Sequence, residues 1–177
     1  MKPIIYVNLL QTKMLGGIGV AVTEMGLLRL RMFQESIGAF LEMNAVYQDG
    51  EYQYSEEDTK EVLEQLEAYL AYERKTFNLP IDWSGYTDFQ RSVLEKTLAI
   101  PYGETRSYGE IASAVGSPRA FRAVGQAEKR NQVPLIIPCH RVIGSDGSLT
   151  GYGGKENIDL KARLLDFEKE GLKRGIL

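Results

Sequence analysis

The chain has 177 residues, 44% of them hydrophobic and 25% charged, with a net charge of −3, one cysteine and one histidine. That length allows one domain with a sizeable core or two small ones, and the composition is that of a soluble globular protein. A single cysteine excludes an internal disulfide and argues against a structural zinc site, and no apolar run approaches the roughly 18 residues of a membrane span.

The first third reads as strands. IIYVNLL (4–10), GIGVAVT (17–23) and LLRLRMF (27–33) are rich in β-branched or bulky apolar residues. Gly16–Gly17 and Glu24–Met25–Gly26 separate them, and an antiparallel meander is the simplest account. Residues 55–75 have helical spacing, with Val62, Leu63, Leu66 and Leu70 on one face and Ser55 or Asp58 as cap. A small sheet with helices against it predicts an α+β domain over residues 1–80. The N-terminus has one lysine and turns polar at Asn8 and Gln11. That is a poor secretion signal, so cytoplasmic residence is expected.

FNLPIDWSGY, residues 77–86, holds Pro80 and Gly85 and has no sustained period, as a junction would. Acidic residues outnumber basic ones before it, and the balance reverses after it. A second, mostly helical domain is expected over 86–177. Thr87 and Gln90 have capping-box spacing, and Phe89, Val93, Leu94 and Leu98 supply a candidate buried stripe. Ser107 and Glu110 repeat the spacing, which predicts a short helix from about Tyr108 to Val115 ending at Gly116. Ser117–Pro118 then reads as the start of another helix, PRAFRAVGQAEKR. It carries Arg119, Arg122, Lys129 and Arg130, so the pair has the form of a basic helix-turn-helix, or of an ordinary helical hairpin.

Pro134 to Ile137 reads as an extended apolar segment, SDGS (145–148) as a turn, and GYGG (151–154) as a loop where backbone can approach a ligand closely. Residues 158–170 form a last amphipathic helix that packs through Leu160, Leu164, Leu165 and Phe167, with Gly171 as its C-cap.

The only cysteine and the only histidine are neighbours, Cys139 and His140, with Arg141 next. A base and a positive charge favour the thiolate, which is the nucleophile. Adjacent side chains on an extended segment diverge, so contact needs a turn or a water between them. Glu168 is a candidate carboxylate to orient the histidine. A buried structural cysteine and a thiol hydrolase remain open at this point.

Four segments together, SYGEIA (107–112), PRAFRAVG (118–125), NQVPLIIPCHRVIG (131–144) and GYGG (151–154), resemble the O6-alkylguanine-DNA alkyltransferases. These are the methylated-DNA–protein-cysteine methyltransferases, and PCHRV (138–142) looks like their signature. The match is close over about 83–170. The N-terminal half resembles the family's ribonuclease-H-like domain in outline only. The resemblance implies irreversible transfer of the alkyl group from guanine O6 in duplex DNA to Cys139, once per molecule. O4-methylthymine stands as a further candidate substrate, and a non-enzymatic sensor of alkylated DNA is the alternative.

The resemblance assigns roles residue by residue. His140 deprotonates Cys139 through a water, and Glu168 orients His140. Asn131 braces the hinge between helix and active site. Tyr108 stabilises the leaving guanine and crowds the target phosphate. Arg122 replaces the extruded base, and Ala120, Ala123 and Gly125 keep its helix small enough for the minor groove. Arg119, with Lys129 and Arg130, faces phosphates. Pro134, Pro138, Tyr152 and Gly153 line the pocket, and Arg141 looks structural. Gly153 departs from relatives with serine there, and the loop is slightly long around 155–157. No cofactor, metal or membrane is implied, and a monomer is expected.

Overall fold

The structure is a computed structural model that describes residues 2–45, 49–150 and 155–175. Its elements run β1 (Ile4–Thr12), β2 (Gly16–Thr23), β3 (Gly26–Gln34), α1 (Ile37–Ala45), β4 (Glu51–Tyr54), α2 (Glu56–Leu70), α3 (Asp88–Leu98), β5 (Arg106–Ser107), α4 (Tyr108–Ala114) and α5 (Phe121–Lys129). A 3-10 turn (Cys139–Arg141), β6 (Val142–Ile143) and α6 (Lys155–Lys173) complete the order. The described residues form two compact units, 1–71 with 77–85, and 72–76 with 86–177.

In the first unit the three expected strands are present and antiparallel. The sheet does not stop there. β4 pairs parallel to β1, giving the order β3-β2-β1-β4. Neither β4 nor α1 was expected from the sequence. α1 is short and starts after a serine cap, with Ser36 Oγ accepting from Ala39 N. It sends Phe40 into a cluster with Ile5, Val7, Ala21 and Leu28. A Cβ on Gly19 would meet the Phe40 ring at 2.4 Å, so the bare glycine backbone is what lets the aromatic side chain lie against β2. Full burial of one such ring contributes about 1.5–3 kcal/mol.

α2 is shorter than its pattern. Ser55 caps it by accepting from Asp58 N, and it ends at Leu70 rather than near 75. Val62 and Leu66 are buried as expected, Leu63 and Leu70 only partly so, and Tyr69 is fully buried.

The second unit is built on α3, α4 and α5. Both capping boxes form, Thr87 with Gln90 and Ser107 with Glu110. The stripe of α3 differs from expectation: Val93, Leu94 and Thr97 are buried, whereas Phe89 and Leu98 are exposed. Val93, Ile100, Ile111, Ala112, Val124, Ala127 and Val142 form one core, with Tyr108 against it. The helix-turn-helix pair is α4 and α5. Its second helix starts at Phe121, after an uncapped Ala120, and not at Pro118. Ser117 holds the turn through its carbonyl, which accepts from Ala120 N at 2.8 Å.

Residues 134–137 are a tight turn rather than an extended segment. Pro134 and Ile137 bridge, Ile137 N donates to Val133 O at 3.0 Å, and Leu135 has φ +72°. α6 runs past both expected ends, so Gly171 lies inside it and caps nothing.

Candidate active site and nucleic-acid interface

Pro138 is the N-cap of the 3-10 turn that carries Cys139, His140 and Arg141, all buried. With about three residues per turn, the Cys139 and His140 side chains leave the backbone in different directions. Each has its own partner. Asn131, two residues past the end of α5, donates its amide to Ile137 O at 2.9 Å and to Cys139 Sγ at 3.1 Å. Its Oδ1 accepts from Val133 N at 3.0 Å. One side chain therefore fixes the sulfur and both ends of the preceding turn.

His140 Nε2 lies 2.6 Å from Glu168 Oε1. Glu168, on α6, also accepts from Arg141 Nε and Nη2, at 3.1 and 2.9 Å, and from Gly103 N at 2.8 Å. Gly103 reaches this position with φ +77°, in the left-handed region, and a Cβ there would meet Leu172 Cδ1 at 2.4 Å. Arg141 Nη1 donates to Ile100 O at 2.6 Å. Burial pushes the Glu168 carboxyl up, but hydrogen bonds and charge from His140 and Arg141 outweigh it and hold the group at about 2. Burial lowers His140 against the raising pull of Glu168. A carboxylate at Nε2 selects the tautomer with hydrogen on Nε2. That leaves Nδ1 as the basic nitrogen. It is buried and has no partner among the described residues.

Tyr108 opens α4, and its Oη donates to Thr150 O at 2.7 Å. Burial, with the charges of Glu128 and Cys139 adding to it, pushes the phenol up to about 12, so it stays protonated. Lys161 of α6 is 1% exposed. Its ammonium donates to Val142 O, lies 3.4 Å from Tyr108 Oη, and sits 5.5 Å from the centroid of the Tyr108 ring.

The sequence reading missed Lys161. Its signal was present: Lys161, Leu164, Leu165 and Glu168 fall at i, i+3, i+4 and i+7, on one face. Glu128, 3% exposed on α5, was missed as well.

Tyr108, Phe121, Arg122, Ala123, Gly125 and Thr150 line an open cleft of about 470 Å³. Arg122 is exposed there, its guanidinium 5.9 Å from the Phe121 centroid. Arg119 and Ala120 lie in the turn before α5 rather than on it, and Lys129 and Arg130 are exposed at its far end. Pro134 is half-buried and Pro138 buried. Tyr152 and Gly153 lie outside the described residues. The structure thus brings Cys139, His140, Asn131 and Glu168 to one buried centre, with half-buried Tyr108 and exposed Arg122 on the open cleft.

The chain matches the family model of the 6-O-methylguanine DNA methyltransferase DNA-binding domain over 88–170, and that of the ribonuclease-like domain over 5–83. It is 45% identical over 159 residues to the constitutive methylated-DNA–protein-cysteine methyltransferase of Bacillus subtilis, covering 90% of this chain and 93% of that one. A Methanosarcina barkeri protein of the same name is 52% identical over 114 residues, 64% of this chain and 70% of its own. The structure resembles Mycobacterium tuberculosis OGT in complex with DNA, with a TM-score of 0.77, 39% identity and 94% of each chain covered. A buried Cys-His-Glu set in the same unit as a helix-turn-helix defines a DNA-directed transferase with a cysteine acceptor. The chain belongs to the 6-O-methylguanine DNA methyltransferase family.

Proposed function

We propose that this protein repairs double-stranded DNA by moving the alkyl group of O6-alkylguanine to Cys139, once per molecule. One observation carries the reading: the sole cysteine adjoins a buried histidine whose Nε2 is committed to Glu168, leaving Nδ1 to take the thiol proton. The Cys139 sulfur then attacks the alkyl carbon, the new S–C bond forms as the C–O6 bond breaks, and the electron pair leaves with guanine. Tyr108, a neutral phenol backed by Lys161, serves the charge that develops on the departing base. The thioether is stable, so no step regenerates the thiol.

Guanine O6 is stacked inside the duplex, so the nucleotide must rotate out, and Arg122 on the exposed face of α5 takes its place. Arg122→Ala is expected to slow repair of a paired target by about 10-fold to 100-fold and a mismatched target by much less, since unpairing costs a few kcal/mol. Single-turnover rates on the two duplexes measure this; equal losses would remove Arg122 from that role.

The function itself is tested by incubating the protein with a duplex containing O6-methylguanine and taking its intact mass. A gain of one CH2, mapped to Cys139, is expected. Binding without any gain in mass would sink the proposal and leave the sensor reading. The same measurement with O4-methylthymine sets the substrate range.

A further inference from the structure

Glu128 is a buried acid that the scheme above does not use. It lies on α5, one helical turn past Val124, on the face packed against α3. Among the described residues its carboxyl has one hydrogen-bond partner, Thr97 of α3, whose hydroxyl meets Glu128 Oε1. Thr97 Oγ1 also lies 3.1 Å from Val93 O, the usual i−4 bond of a helical threonine. A hydroxyl has one hydrogen, and here it has two acceptors. If Thr97 donates to Val93 O, the proton shared with Glu128 must come from the acid. The second oxygen points the same way. Glu128 Oε2 is buried with no partner among the described residues. A carboxylate oxygen left so would cost several kcal/mol, whereas the carbonyl oxygen of a neutral acid costs far less.

We propose that Glu128 works as a neutral carboxylic acid that donates to Thr97 and fastens the recognition helix to α3. Its ionisation is an alkaline off-switch for DNA repair by this chain. The titratable groups facing it are Lys161 from α6 and Tyr108 from α4, while α3 presents the Thr97 hydroxyl. Kept neutral, Glu128 adds no negative charge beside Lys161 and Tyr108, the two groups that also feel Cys139. Ionised, it can only accept from Thr97, which draws that hydroxyl away from Val93 O, and it opposes a thiolate at Cys139 and places a negative charge under the helix that meets DNA. Burial supports this, pushing the Glu128 carboxyl up to about 8 against the lowering effects of Thr97 and Lys161.

The test is Glu128→Gln, whose amide N–H replaces the acid proton toward Thr97 and cannot ionise. Three measurements apply. In the intact wild-type protein near pH 6.5, infrared difference spectra against Glu128→Gln should show one buried protonated-carboxyl band, and the band should vanish by pH 9.5. The unfolded acid ionises near 4.5 and the folded one near 8, so folding holds the proton between them. Wild-type unfolding constants should therefore rise about tenfold per pH unit in that window relative to Glu128→Gln, and level off above it. Single-turnover transfer from O6-methylguanine duplex should be alike for the two proteins near pH 7. Above pH 8 wild type should fall behind, by about tenfold at one unit past the titration.

Parallel stability and rate profiles for the two proteins, or no carboxyl band, would overturn the proposal. The rate measurement rests on the alkyl-transfer reading, but the spectroscopic and stability measurements do not. A protein that failed to transfer methyl at any pH would count against that reading and leave these two decisive for Glu128.

Discussion

Cys139→Ser abolishes methyl transfer while leaving duplex binding within about twofold of wild type. A serine hydroxyl ionises far above the range in which a histidine base removes its proton, so the nucleophile is lost outright. Serine is the preferred blank because of Asn131. That amide spends one hydrogen on Ile137 O and the other on Cys139 Sγ. A serine Oγ is an acceptor near the same place, whereas alanine leaves a buried N–H unpaired, at about 1–3 kcal/mol. Cys139→Ala is therefore expected to be equally inactive but less stable than Cys139→Ser. Intact mass after incubation with alkylated duplex reads the first effect, and denaturant midpoints read the second. Any alkyl group found elsewhere on the Cys139→Ser chain would show that the acceptor is misassigned.

Glu168→Ala costs about 3–5 kcal/mol of stability, from a total of roughly 5–15 for a domain. Glu168 binds Arg141, His140 and Gly103 N together, and it is fully buried. Truncation strands a buried guanidinium with only Ile100 O among its hydrogen bonds to the described residues. Glu168→Gln keeps the shape and loses the charge. It is expected to fold at low temperature and to slow transfer by about 100-fold or more, because His140 loses the anion that fixes its tautomer and stabilises its protonated form. The folded carboxyl sits at about 2 and the unfolded one near 4.5. The stability this group contributes is thus complete above about pH 4.5 and lost as pH falls toward 2. Urea midpoints between pH 7 and 3 should drop for wild type and drop less for Glu168→Gln. A wild-type rate in Glu168→Gln would exclude a role for Glu168 in proton transfer.

Much of this was legible in the residues. The capping boxes at Thr87–Gln90 and Ser107–Glu110 are local: the residues that make them lie within one turn, so sequence spacing is sufficient. The PCHRV segment stood out because it holds the only cysteine and histidine. The parallel strand β4 was not legible, because its partner β1 lies more than 40 residues away and its own four residues, EYQY, show no buried face. The turn at 134–137 hid behind an apolar run that composition alone reads as extended; the left-handed Leu135 and the Ile137 N to Val133 O bond that mark it leave no trace in composition. Lys161 and Glu128 were passed over for a shared reason. Charged residues on amphipathic helices are assigned to solvent by default, and only tertiary partners (Val142 O and Thr97) reverse that assignment.

The two-residue pair β5–β6 joins Arg106 to Val142 and Ser107 to Ile143. Ser107 is followed directly by Tyr108, and Val142 closes the turn that begins at Cys139. The start of α4 and the turn that carries Cys139 are thereby held against each other through main-chain atoms, which no substitution short of proline can delete. The span between acceptor and tyrosine is thus inherited with the backbone, and side chains decide only what chemistry is done across it.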